Sequence, residues 1–202
     1  MREKIVLTIN PDVNGIWTDT SDNDLSSGRI ASYHELELPE ELTVELDKWF
    51  EAQQEYRILS EKHVDIDTLN KQGLELAKRL KRHLFYRAMV FYKKGDNVQK
   101  IYGYMVMGDM CAYVWDDEDN SCALEDIEDD LNGFEIEDCD SLQKRFDQWE
   151  NEFGKCYSDD IDWDSFNKEG RALVEELQKR LPEYCIVFYN HAYEESHPQW
   201  WK

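Results

Sequence analysis

Between Asp116 and Asp140 the chain carries thirteen carboxylates in 25 residues and no Lys or Arg. Three kinds of chemistry could use such a run. Paired carboxylates can serve as general acid and base, but 45 acids in the chain make any chosen pair uninformative without geometry. Asp116, Asp117, Glu118, Asp119 and Asn120 are oxygen-rich enough to suggest a calcium loop. Counted from Asp117, however, the sixth position is Cys122 rather than Gly, and the twelfth, Glu128, lacks its spacing partners. The third possibility is recognition: carboxylates that pair with the Lys and Arg of a basic partner, as phosphates would.

The other reactive residues give weaker signals. His34, His63, His83, His191 and His197 stand in no HExxH or HxxxH spacing, and no GxGxxG, GxxxxGK[ST] or GxSxG occurs. Cys111, Cys122, Cys139, Cys156 and Cys185 form no CxxC pair and read as free thiols of a reducing compartment. No catalytic residue, metal site or cofactor is expected, and the chain reads as a binding protein rather than an enzyme. The N-terminal apolar run is too short for a signal peptide and no stretch reaches the ~20 apolar residues of a membrane span, so a cytoplasmic location is expected.

Charge is unevenly distributed. The net value is −22, yet residues 1–100 hold 18 acids and 15 bases while residues 101–202 hold 27 and 8. A field of this sign repels nucleic acid and anionic lipid and attracts a basic protein. The stretch Thr18–Glu41, which corresponds to the acidic run in the first half, has only seven acids and contains Arg29. The expected partner-binding residues are therefore Asp116, Asp117, Glu118, Asp119, Glu125, Asp126, Glu128, Asp129 and Asp130. Leu124, Ile127, Leu131, Phe134 and Ile136 interrupt the run as they would in a folded segment.

The elements that must hold these residues follow from an internal repeat. Asp67–Tyr92 and Asp164–Tyr189 share ten identities in 26 ungapped positions at an offset of 97. The identities are Asp67/Asp164, Asn70/Asn167, Lys71/Lys168, Gly73/Gly170, Leu76/Leu173, Leu80/Leu177, Leu84/Leu181 and the closing Val-Phe-Tyr. Upstream, Leu42, Asp47 and Trp49 match Leu142, Asp147 and Trp149, and Ile16-Trp17 matches Val114-Trp115. KKGDN marks the joint.

Each copy reads as two strands, two helices and a strand. The strands are expected at Ile5–Ile9 and Gly15–Trp17, and at Ile101–Met107 and Cys111–Trp115. Pro39 ahead of Glu40 and Glu41 suits a helix start. One apolar face carries Leu42, Leu46, Trp49, Phe50 and Tyr56, matched by Leu142, Phe146, Trp149, Phe153 and Tyr157. A second helix, opening at Asp67 or Asp164, places Gly73 or Gly170 inside its apolar stripe, where a passing backbone would explain the missing side chain. Trp17, Trp49, Trp115 and Trp149 are expected in the core. The strand AMVFY or CIVFY reads as buried on both faces. The expected fold is α+β: two tandem β-β-α-α-β repeats related by a pseudo-twofold, with helices packed on a mixed sheet. Residues 1–95 form the first repeat, and residues 100–202 the acidic second with its Trp200-Trp201 tail, or the two merge into one compact pseudo-symmetric domain.

The pattern L…L..W followed by DxxNxxG…L…L…L…VxY, present twice, resembles that of the immunity proteins encoded beside bacterial polymorphic and contact-dependent growth inhibition toxins. The resemblance implies an antitoxin-like inhibitor that binds a cognate, often nuclease-type toxin domain and blocks its active site or substrate path; the acidic surface is assigned by charge alone. Two alternatives remain open from sequence: a phage-type nucleic-acid mimic of the anti-restriction or anti-CRISPR kind, and a hydrolase or calcium-binding protein using clustered carboxylates.

Overall fold

A computed structural model describes residues 5–12, 14–19, 28–59, 65–108, 113–117, 120–153 and 162–190. The fold is mixed α+β, and the chain divides into two compact units, Met1–Gly103 and Tyr104–Lys202. In the first unit, strands β1 (Ile5–Asn10), β2 (Gly15–Asp19) and β3 (Arg29–Ile30) are followed by helices α1 (Glu40–Leu59) and α2 (Ile66–His83) and strand β4 (Ala88–Lys94). β1 pairs antiparallel with β2 and parallel with β4, so the sheet is mixed. Leu7, Ile9, Val90 and Tyr92 alternate onto the face that meets the helices, where Leu46, Leu76, Ala77 and Leu80 are also buried.

Strand β5 (Asn97–Val106) crosses the division between the units. It begins four residues earlier than expected because KKGDN is a hairpin turn: Lys94 pairs with Asn97, and Gly95 sits at φ 58°, a left-handed conformation that glycine adopts without strain. In the second unit, β6 (Val114–Asp116) pairs antiparallel with β5 and with β7 (Ser121–Cys122). Helices α3 (Leu124–Asp130), α4 (Cys139–Phe153) and α5 (Trp163–Arg180) follow, and β8 (Cys185–Tyr189) pairs with β5.

The expected β-β-α-α-β order thus lacks three short elements. β3 and β7 have two residues each, too few to show alternation, and α3 has only seven, with its apolar Leu124 and Ile127 masked by acids. The helix starts also differ. Asp65 and Asp162, two residues before the expected Asp67 and Asp164, are the N-caps. Asp65 accepts from the Asp67 amide at 3.0 Å and the Thr68 hydroxyl at 2.6 Å; Asp162 accepts from the Ser165 amide at 3.3 Å and its hydroxyl at 2.7 Å.

The mid-helix glycines face aromatic side chains, not a passing backbone. A Cβ on Gly73 would lie 2.4 Å from Trp49 Cζ2 and 2.8 Å from the Tyr92 ring. One on Gly170 would lie 2.7 Å from Trp149 Cζ2 and 2.4 Å from Tyr189 Cε2. The missing side chain lets each indole N–H reach the backbone: Trp49 donates to Leu69 O at 2.8 Å and Trp149 to Phe166 O at 2.9 Å. Those carbonyls stand four residues before the glycine, so each also lies on the glycine's own helix ladder. Tyr92 then donates to Asn70 Oδ1 at 3.4 Å and Tyr189 to Asn167 Oδ1 at 2.7 Å.

Further contacts recur at corresponding positions. Lys81 Nζ donates to Ala88 O at 2.8 Å, and Gln178 Nε2 to Cys185 O at 3.1 Å, each joining a helix to the strand that follows. His83 Nε2 lies 3.0 Å from Glu37 O, and Arg180 donates to Asp138 O at 3.1 Å. Trp17 and Trp115, expected in the core, are only half-buried, because in each strand the neighbours Ile16 and Thr18, or Val114 and Asp116, take the buried face. Met89 and Phe91 of β4 are likewise half-buried. Tyr157, Trp200, Trp201, Cys111, Cys156, His63, His191 and His197 lie outside the described residues.

Candidate acidic surface

The acidic run begins in the β6–β7 hairpin. Asp116 is 8% exposed and closes the turn from both ends: its Oδ1 accepts from the Asn120 amide at 2.8 Å and its Oδ2 from the Asn120 side-chain amide at 2.9 Å. The Asp116 amide donates back to Asn120 O at 3.0 Å. Asp117 is buried beside it, and Glu118 and Asp119 fall outside the described residues. The neighbouring Cys122 is buried, and its thiol is pushed up to about 12, first by burial and then by the Asp116 charge. Such a thiol is a packed hydrophobe and not a nucleophile.

α3 carries the middle of the run. Leu124 and Ile127 are fully buried and anchor it, while Leu131 and Ile136 bury the segment that follows. Asp126 accepts from the Ala123 amide at 2.7 Å, satisfying one of the free donors at the helix start. Glu128, half-buried, accepts from the Ile136 amide at 2.6 Å and ties the helix to the next segment. Asn132 and Gly133 at φ 60° and 77° reverse the chain, with the Gly133 amide donating to Glu128 O at 2.8 Å.

The seven described residues of the nine separate by role. Asp116, Asp126 and Glu128 hold the chain's own backbone, Asp116 and Asp117 are buried, and Glu125, Asp126, Asp129 and Asp130 are exposed. Glu135, Glu137, Asp138 and Asp140 are exposed as well and were not among the nine. Sequence signals for the backbone-binding roles existed: Asp and Asn bracketing two β segments mark a turn, and an acid three residues after a helix boundary marks a cap.

Carboxylates of the first unit stand in contrast. Arg29 pairs with Glu35 at 2.8 Å, Arg87 with Glu37 at 2.9 Å and Lys93 with Asp12 at 2.7 Å, while Arg57 also reaches Asp12. These cations hold Glu35 down to about 2 and lower Asp12. Glu125 and Asp129 have no ion pair among the described residues.

The first unit also has an open groove of about 460 Å³ between α1 and α2, lined by Lys48, Trp49, Thr68, Lys71, Leu76 and Arg79 among others. Among the described residues, no group of three His, Cys, Asp or Glu could hold a metal ion. No described helix is long and apolar enough to cross a membrane. Comparisons with protein-family models, curated proteins and solved structures returned no match.

Proposed function

We propose that this chain is an immunity-type inhibitor that binds and neutralises a basic, nuclease-type toxin domain in the cytoplasm. The observation that carries the reading is the charge contrast between the halves: cations accompany the acids of the first, whereas the run 116–140 contains none. Keeping like charges together on an ordered element raises the free energy of the free protein, and a basic partner relieves it. Lys and Arg that grip phosphates pair equally well with Asp and Glu, so an ordered carboxylate surface can occupy a nucleic-acid path. The contacts assigned are the exposed Glu125, Asp129 and Asp130, with Glu135, Glu137 and Asp140 around them. Asp116, Asp117 and Glu128 support that surface from within, and the exposed Asp126 belongs to it; Glu118 and Asp119 lie outside the described residues.

We also read the fold as two tandem β-β-α-α-β repeats related by a pseudo-twofold. The recurring Trp–Gly–Tyr–Asn cluster and the repeated helix-to-strand contacts support this. Duplication explains how one half could keep the architecture while the other diverged in charge.

The test is whether the gene immediately upstream encodes a toxin with a basic nuclease domain and, with that domain, stopped-flow association combined with inhibition of its nuclease activity; an upstream gene of another kind counts against the reading. E125Q/D129N/D130N is expected to slow association about five- to tenfold at low salt and to flatten its salt dependence, because exposed charges act chiefly on the association rate. Neutralising exposed acids of α1 in the first unit (E40Q/E51Q/E55Q) is expected to do much less. Equal effects of the two triple variants would leave net charge, and not this surface, as the cause. Binding that leaves nuclease activity intact would overturn the inhibitor reading.

A further inference from the structure

The two helix pairs share their Trp-on-Gly contact and carry interhelix ion pairs of opposite polarity. In α1·α2, Glu45 of the first helix pairs with Arg79 of the second, and Glu41 lies 3.9 Å from the same guanidinium. In α4·α5, Arg145 of the first helix pairs with Glu176 of the second and with Glu169 at 3.3 Å. Positions 45 and 145 align through the Trp49/Trp149 match, and 79 and 176 align at the offset of 97. The bridge is therefore kept at one place with its polarity reversed.

We propose that this reversal is a pairing code that keeps each helix with its own mate during folding. The Trp-on-Gly contact does not discriminate between the two pairs. Trp49 on Gly73 and Trp149 on Gly170 make the same contact, and each indole finds the same kind of carbonyl. A pair built from α1 and α5 would again bury a Trp on a Gly. It would also set Glu45 against Glu176, and the complementary hairpin would set Arg145 against Arg79. Misassembly between similar units is a characteristic failure of duplicated proteins, and like-charge opposition is the usual device against a wrong partner. Side chains at these bridges are 30–41% exposed. Each pair then shifts an equilibrium by only about two- to fivefold. The exchange of helices converts two attractions into two repulsions, for a combined bias of roughly tenfold or more. That bias bears on a folding trap and adds little to the stability of the native state.

The experiment is refolding of the full chain from urea, read as the yield of native monomer by size exclusion and as the number of refolding phases. E45R/R79E gives both helix pairs the same polarity while retaining an ion pair in each. The fourfold variant E45R/R79E/R145E/E176R, made with R180Q because Arg180 pairs with Glu176 at 2.5 Å in the native chain, reverses both and restores the opposition. E45Q/R79Q removes one bridge without matching the two. The expected result is a yield of monomer lowered about threefold or more in the matched variant, with an added slow phase; the fourfold variant returns to the wild-type pattern and the neutral one falls between. A matched variant that refolds with wild-type yield and rate overturns the proposal. So does equal impairment of the matched and fourfold variants, which would mean local damage to the bridge.

Discussion

Gly73 and Gly170 illustrate how a single absent methyl group organises the contacts around it. In an exposed helix, Gly→Ala stabilises by about 1 kcal/mol. Here the new Cβ would meet rigid aromatic rings at 2.4–2.8 Å, neither of which can withdraw as a flexible chain end would. G73A and G170A are therefore expected to lose about 1–3 kcal/mol by urea unfolding, the overpacking cost exceeding the helix gain. A gain in either variant would show that the ring moves aside freely. Trp49→Ala and Trp149→Ala remove rings that are 3% exposed and hydrogen-bonded, with an expected cost of about 3–5 kcal/mol each. A loss below about 1 kcal/mol would place the rings outside the core. The N-caps make a pH-dependent contribution. Hydrogen bonds from Thr68 and the Asp67 amide lower Asp65, and those from Ser165 lower Asp162, relative to the ordinary 3.8. A folded-state value below the unfolded one gives stability that is present above 3.8 and is lost as pH falls through the folded value. D65N/D162N keeps the caps and removes the titration, so its stability is expected to fall less steeply than that of wild type on acidification.

Elements are joined by side chains that bind backbone. Lys81, fully buried, donates to Phe85 O and Ala88 O and so fixes the turn from α2 into β4. Gln178 does the corresponding work from α5, donating to Cys185 O and accepting from the Val187 amide at 2.8 Å. Lys81→Gln is therefore expected to be tolerated better than Lys81→Met. Methionine fills the volume but leaves two buried carbonyls without this donor, at a cost of about 1–3 kcal/mol. Equal stabilities of the two variants in urea would assign the position to packing alone. At this scale the helices were legible in the sequence because 4-3-4-4 spacing of large apolar residues survives among charges. β3, β7 and α3 were not, since their formation depends on neighbours already in place and not on a local period.

At the scale of the molecule, a net charge of −22 works against compaction. Screening within the ~10 Å Debye length of 0.1 M salt weakens this repulsion, and it also weakens the exposed ion pairs of the first unit. With 45 acids against 23 bases, repulsion outweighs those pairs. The thermal midpoint is expected to rise as NaCl is raised from low to about 0.5 M; a fall would mean that the ion pairs dominate. On the alkaline side, burial raises the Tyr92 phenol and the Cys122 thiol to about 12. Both are favoured neutral in the fold, so their contribution is complete below the unfolded values of 10.0 and 9.0 and is lost as pH rises towards the folded ones.

The sequence by itself determined the helical stripes, the paired Trp and Gly positions, the closing strands and the concentration of acid in the second half, because each is a local period or a count. Tertiary structure decided what the paired positions do. An indole N–H reaches a helix carbonyl only where a distant glycine leaves room, and no spacing rule places Trp49 over Gly73. It also decided which acids face outward. Thirteen carboxylates look alike in a row, but whether one is turned in to accept a backbone amide, as Asp116 and Glu128 are, or meets solvent, as Glu125 and Asp129 do, depends on which amides the fold brings within 3 Å.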